Sequence, residues 1–242
     1  MLDPVLFASD CGIKPDPWQA GLLRAMPRRA LLLCSRQSGK TTTTALMALH
    51  RAAYESSALV VVVSPSQRQS AEMLRTIKGL HGRLDGAPAL DSESVLKVEL
   101  ANGSRILALP GTERTVRGFA GASLVIVDEA ARVEDELLAA VRPMLATNAA
   151  GSLIALSTPA GKRGWFYEAW HGPASDGYYR VRVSAQECPR ISQAFLDEEL
   201  RELGPTRFSE EYGLAFVDPE ESAFPTTIID SAFSNEVLPL WG

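Results

Sequence analysis

The hydrophobic pattern of the chain alternates short β-rich runs with longer helical ones. Apolar runs at residues 30–34, 58–64, 105–109, 123–127 and 153–157 predict strands, each short and apolar on both sides. Strands without a polar face belong to a parallel sheet covered on two sides, where neither surface meets water. Residues 40–54, 67–80 and 133–144 predict helices between them, and Glu134, Asp135 and Glu136 favour the N-terminal turn of the third. Residues 97–100 and 105–109 flank Asn102-Gly103, a hairpin signal. The pattern predicts an α/β fold with a mainly parallel central sheet flanked by helices and one antiparallel excursion.

After about residue 170 the character changes. Gly172-Pro173 and Asp176-Gly177 mark turns around a tyrosine-arginine strand at 178–183. Ser192 then reads as the N-cap of a helix that ends at Gly204-Pro205, and Thr206 as the cap of a second one reaching Tyr212. The division expected is a core over 1–172, a small subdomain packed on the sheet over 173–217, and a linker over 218–242.

Composition narrows the class. With 242 residues, 46% of them apolar and 22% charged, the chain buries a real core without a disulfide scaffold. Its longest purely apolar run, residues 58–63, is far short of the roughly 20 that a spanning helix needs, so no membrane association is expected. Cys11, Cys34 and Cys188 are odd in number and far apart, which fits a reducing compartment and no Cys-built zinc site. The net charge of -5 argues against a protein that coats nucleic acid by bulk charge. Basic pairs at Arg28 and Arg29, Arg114 and Arg117, Lys162 and Arg163, and Arg180 and Arg182 read first as solvated faces.

The strongest local signal is Cys34-Ser-Arg-Gln-Ser-Gly-Lys-Thr41, between a predicted strand and a predicted helix. In that context the turn aims backbone N–H groups and a helix N-terminus at phosphates. Lys40 would reach the β and γ phosphates, and Thr41 would offer its hydroxyl to Mg²⁺. Cys34 stands where the general pattern has glycine. The second element is Leu124-Val-Ile-Val-Asp128-Glu129, an apolar strand ending in two carboxylates. Asp128 would hold the magnesium water shell, and Glu129 would orient and deprotonate an attacking water. Together they predict ATP hydrolysis. Three further pieces join them. Trp18-Gln19 sets a side-chain amide, able to pair with an adenine edge, ahead of the first strand; Ser157-Thr158-Pro159 ends a strand where hydroxyls would face the γ-phosphate; and Arg117 lies in a glycine-flanked loop before the acidic strand.

At this point the residues closely resemble the large terminase subunit, the DNA-packaging motor of tailed double-stranded DNA viruses. Trp18-Gln19 is similar to its adenine-binding motif, and Ser35-Arg36-Gln37-Ser38-Gly39-Lys40-Thr41 to its deviant Walker A loop, in which an Arg-Gln pair is usual and the first glycine is absent. Asp128-Glu129 resembles its Walker B motif, Ser157-Thr158-Pro159 its coupling motif, and Arg117 falls where the family carries an arginine finger. Residues 208–216, with Ala223-Phe224, resemble its lid subdomain and the exit toward a nuclease. The resemblance implies a P-loop NTPase of the ASCE, RecA-like type, using ATP and Mg²⁺ to translocate double-stranded DNA in the host cytoplasm. Its implied partners are the portal protein of a procapsid, the small terminase subunit and further copies of the chain in a pentameric ring. Such subunits normally continue into an RNase H type nuclease; here the chain stops at Gly242, so no nuclease activity is expected. Two alternatives remain: a superfamily 2 type helicase core, although only about 80 residues follow the coupling motif, and a non-catalytic nucleotide-binding scaffold.

Overall fold

The computed structural model describes residues 3–111, 116, 118–173 and 177–218. Two helices, α1 (Pro4–Asp10) and α2 (Pro17–Ala25), precede β1 (Arg29–Cys34) and α3 (Lys40–Tyr54). β2 (Leu59–Ser64), α4 (Gln67–His81), β3 (Leu90–Glu93), β4 (Lys97–Leu100), β5 (Arg105–Pro110) and β6 (Leu124–Asp128) follow. The remaining elements are α5 (Asp135–Val141), β7 (Ser152–Ser157), α6 (Gly164–His171), β8 (Tyr179–Val183) and α7 (Gln193–Glu211).

The eight strands form one sheet in the order β3-β4-β5-β2-β6-β7-β1-β8. From β5 to β8 every neighbouring pair is parallel, and β3 and β4 are the antiparallel excursion. The predicted turn holds: Asn102 accepts from the Ser104 N–H through Oδ1 at 3.0 Å, and its Nδ2 donates to the Ala52 carbonyl at 2.8 Å, tying the hairpin to α3.

Both faces of the sheet are covered, as apolar alternation on both sides requires. Leu32, Val60, Val62, Ile126 and Ile154 pack with Leu22, Leu46, Leu49, Met73 and Ile77 of α2, α3 and α4. The residues one step along each strand, among them Leu31, Val61, Val125 and Leu153, pack on the opposite face with Leu137, Val141 and Phe166 of α5 and α6.

The fold departs from the sequence reading in four places. Tyr179–Val183, expected in the small subdomain, is the sheet's edge strand, with Leu32 opposite Val181 and Cys34 opposite Val183. A strand half exposed to solvent lacks the continuous apolar run that marked the others. The helix expected over 133–144 is shorter, because Pro143 has no N–H to continue the ladder and the chain tightens into a 3₁₀ turn, Arg142–Leu145. β3 carries no apolar pattern and is largely exposed, so nothing flagged it. α1 was missed although Asp3 caps it, accepting from the Val5 N–H at 2.9 Å, with Pro4 at its first position. The two helical segments expected after Ser192 do occur, running together as α7 with a break at Gly204 (φ 74°, ψ 166°) ahead of Pro205. Tyr212 donates across that break to Glu199 at 2.7 Å.

Ile126 sits in the middle of β6 with no exposed surface. Ile126→Ala is expected to lower the unfolding free energy by about 2–5 kcal/mol, read from denaturant unfolding, because a fully packed site collapses poorly around the lost methylenes.

Candidate functional site

In a parallel sheet all strands end on one edge, and that is where the chemically notable residues meet. The loop after β1, Asp128 at the end of β6 and Ser157 at the end of β7 all lie on this edge, with β7 between the other two strands. Ligands of open α/β sheets bind at such carboxyl ends.

The loop is shaped by two left-handed residues, Gln37 (φ 59°) and Gly39 (φ 90°), and it delivers Lys40 as the first residue of α3. Glycine also keeps room there: a Cβ at 39 would lie 2.8 Å from Gln19 Nε2 and 3.2 Å from the Arg190 guanidinium, so both side chains would have to shift. Ser38 Oγ donates to the Ser35 carbonyl at 2.8 Å, closing the turn internally. From outside, the Ser35 N–H donates to the Val183 carbonyl at 2.9 Å, the Arg36 N–H to the Glu211 carbonyl at 3.2 Å, and Arg190 to the Ser38 carbonyl at 2.9 Å. Cys34 packs in the core, where burial above all pushes its thiol up to about 12, so it stays neutral.

Lys40 is buried, and its Nζ lies 3.4 Å from Glu129 Oε1. Glu129 itself has φ 49°, unusual for a residue with a side chain, and this turns the chain sharply off β6. Asp128 is buried beside it, with Oδ1 accepting from the Glu129 N–H at 3.1 Å. Burial, and then the neighbouring Glu129 charge, push the Asp128 carboxyl up to about 6 against the opposing pull of Lys40. A carboxylate so poorly compensated fits a group that meets a cation in its working state. Thr41, on the first turn of α3, lines the cleft over the loop at the same edge, so Thr41 and Asp128 are the residues that could hold Mg²⁺.

Ser157 and Thr158 are buried, as is Pro159. Ser157 Oγ accepts from the Ala131 N–H at 3.2 Å, joining β7 to the turn after Glu129. A cleft of about 550 Å³ opens over the loop, lined by Arg36, Gln37, Gly39, Lys40, Thr41, Thr42 and Arg190. A neighbouring hollow of about 420 Å³ shares Gln37 and Arg190 and adds Ile191, Ser192 and Phe195. A polar end and a partly apolar end in continuity suit a phosphate chain carrying an aromatic base.

Two residues sit differently from the expectation. Gln19 has its amide committed inside the protein: Oε1 accepts from the Asp16 N–H at 2.8 Å, and Nε2 donates to Thr43 Oγ1 at 2.8 Å and to the Gly39 carbonyl at 3.3 Å. In this conformation it braces the loop and offers no free edge to a base, while Trp18 beside it packs against the core. Arg36 lines the cleft with Lys40, but its guanidinium is engaged in a paired bridge to Glu211 of α7, at 3.0 and 3.1 Å. Arg117 and Ala223-Phe224 lie outside the described residues.

Sequence reasoning missed Arg132, Arg190 and Glu211. Arg132 donates to Glu129 and to Thr158, both at 2.9 Å, and to Glu211 at 3.3 Å. Burial raises the Glu211 carboxyl, but its hydrogen bonds and charge contacts with Arg36 and Arg132 outweigh that and hold it below its ordinary range. Only the fold brings 36, 132 and 211 together; no local motif marks the latter two.

The family model described as terminase large subunit, T4likevirus-type, N-terminal, matches residues 31–231. The chain belongs to the terminase large-subunit family. Solved structures agree on the fold. The large terminase ATPase domain of Thermus phage P74-26 superposes with a TM-score of 0.73 at 21% identity, covering 90% of this chain and all of that one. The large terminase of bacteriophage HK97 gives 0.60 at 20% identity over 76% of this chain and 42% of that chain. The large terminase of another thermophilic bacteriophage, solved in complex with ADP, gives 0.66 at 11% over 90% and 54%. The chain thus spans a whole terminase ATPase domain and about half of the longer subunits. The mixed α/β sheet is the RecA-like, ASCE arrangement expected from the sequence.

Asp128 yields a prediction with a definite sign. Its folded-state carboxyl titrates near 6 against an ordinary 3.8, so the unfolded chain releases that proton first. Stability is therefore lost as pH rises from about 4 to 6, by up to about 3 kcal/mol, and stays lost above that range. Without nucleotide or metal, Asp128→Asn is expected to be more stable than wild type at pH 7. The gap should close below pH 4, as measured by urea unfolding across that range.

Proposed function

We propose that this chain is the ATP-hydrolysing motor domain of a viral large terminase, driving double-stranded DNA into a procapsid. The observation that carries the reading is the buried Lys40 ammonium, 3.4 Å from Glu129 at the end of a loop that aims a helix N-terminus into a cleft. In it, the backbone N–H groups of residues 37–41 cradle the phosphates, and Lys40 and Arg36 exchange their carboxylate partners for phosphate oxygens. Thr41 and Asp128 would hold Mg²⁺, whose chemistry there would be to neutralise charge on the phosphate oxygens. Glu129, once Lys40 turns to the phosphates, accepts the proton of the attacking water. Membership of the family and the phage terminase solved with ADP support nucleotide binding here.

The coupling to DNA is also proposed. Ser157, Thr158 and Pro159 sit where loss of the γ-phosphate would first be felt, and Thr158 already connects to α7 through Arg132. Residues 173–217 would act as the lid and 218–242 as the lead toward a nuclease domain. Arg117, on the family resemblance, would reach into a neighbouring subunit's site within a pentameric ring. Portal protein and small terminase subunit would be the other partners, in the cytoplasm of an infected cell.

The test separates binding from chemistry. Lys40→Ala is expected to raise the ATP dissociation constant at least about tenfold, about 1.4 kcal/mol, in a direct binding measurement. Glu129→Gln should bind ATP like wild type while turnover falls about 10²- to 10⁴-fold. Wild-type turnover in Glu129→Gln would assign the base elsewhere, and unchanged affinity in Lys40→Ala would remove the loop from the site.

A further inference from the structure

Five charged groups form a circuit that starts and ends on the phosphate loop. Lys40 meets Glu129 at 3.4 Å, Glu129 meets Arg132 at 2.9 Å, Arg132 meets Glu211 at 3.3 Å, and Glu211 meets Arg36 at 3.0 Å. The signs alternate throughout. Lys40 and Arg36, at the two ends, are the cations that an incoming triphosphate competes for. Arg132, in the middle, faces two carboxylates and the Thr158 hydroxyl, so its partners come from β6, from the end of β7 and from α7.

When Lys40 turns to phosphate, Glu129 keeps Arg132 on its other oxygen, Oε2. A planar guanidinium holds several acceptors in one fixed fork, which a point charge does not do. It therefore fixes the direction of the Glu129 carboxylate at the moment when direction matters, since misplacing a reacting group by about 1 Å costs about 10²-fold in rate.

We propose that Arg132 is a positioning residue for hydrolysis: it orients the Glu129 carboxylate and sets it in register with Thr158 and Glu211. The inference rests on the reading of Glu129 as the base. Arg132 acts through Glu129, and the bonds it makes go to Glu129, Thr158 and Glu211, which distinguishes this role from that of an arginine that binds the nucleotide.

The experiment uses the whole chain, with ATP affinity, KM, kcat and thermal unfolding measured for wild type, Arg132→Ala, Arg132→Lys, Glu129→Gln and the double variant Glu129→Gln with Arg132→Ala. Arg132→Ala is expected to lower kcat about 10²-fold with affinity and KM within about twofold of wild type. Arg132→Lys, which keeps the charge but not the fork, should recover part of the loss. In the Glu129→Gln background the alanine substitution should add nothing, since the group it orients is already gone. The proposal is overturned if Arg132→Ala keeps wild-type kcat, if it weakens ATP binding instead, or if it lowers the rate by the same factor with and without Glu129. Should Arg132→Ala not fold, Arg132→Gln, similar in length, carries the same comparison. A wild-type chain that neither binds nor hydrolyses ATP at high protein concentration overturns the proposed function and this inference together. Normal wild-type turnover with an indifferent Arg132 overturns this inference alone.

Discussion

An ammonium group buried at the end of a β-sheet has to be paired, and much of this structure is arranged around that requirement. Lys40 is 8% exposed, and an unpaired charge at such a site would cost several kcal/mol. Its partner Glu129 lies 89 residues away in sequence, just past the end of β6, a strand separated from β1 by β7. The pairing exists because parallel strands end together, and it is positioned because Glu129 accepts a left-handed backbone, φ 49°, that swings its side chain off the strand axis. The apolar residues that fill both faces of the sheet are thus the means by which two hydrophilic side chains meet.

The loop itself is held from the far end of the chain. Its backbone groups bond to Val183 on the edge strand, to Glu211 at the end of α7 and to Arg190 between them. On the N-terminal side Gln19 braces Gly39 and Thr43. A motif that reads as eight consecutive residues is therefore held in shape by four other segments of the chain. The matched family region extends well past the last of the local motifs, to residue 231, in keeping with that dependence.

What the sequence revealed follows the same division. Strands buried on both faces, such as β2 and β6, announced themselves as unbroken apolar runs, and α3 was bounded correctly by Gly39 and the polar residues after Tyr54. That the loop, the acidic pair and Ser157-Thr158 share one edge of the sheet was legible because each directly follows an apolar strand of the parallel sheet. β8 and β3 were not, since an exposed edge strand needs no apolar period. Arg132, Arg190 and Glu211 stayed hidden for another reason: an arginine or glutamate on a polar surface looks the same whether it faces water or another charge 79 residues away. Gln19 was found by its motif, yet its hydrogen bonds to the loop could be read only from the fold.

The electrostatics explain why an arrangement that costs stability persists. Asp128, a buried carboxylate displaced upward toward 6, works against the folded state at neutral pH, and each cation around the cleft is held by a carboxylate that it must leave to meet phosphate. Hydrophobic replacements of similar volume would often be neutral or better for folding. They would also leave nothing for a triphosphate to exchange with. Because Lys40 and Arg36 already rest on carboxylates, nucleotide binding as proposed would swap one set of ion pairs for another and would not create charge contacts from water, so little of the binding energy would go into gathering the cations. The carboxylates released by the swap, Glu129 and Glu211, both remain on Arg132. On the proposed function, the site would stand between two charge states that differ by an exchange of partners, and that exchange is what an ATP-driven cycle would have available to move α7.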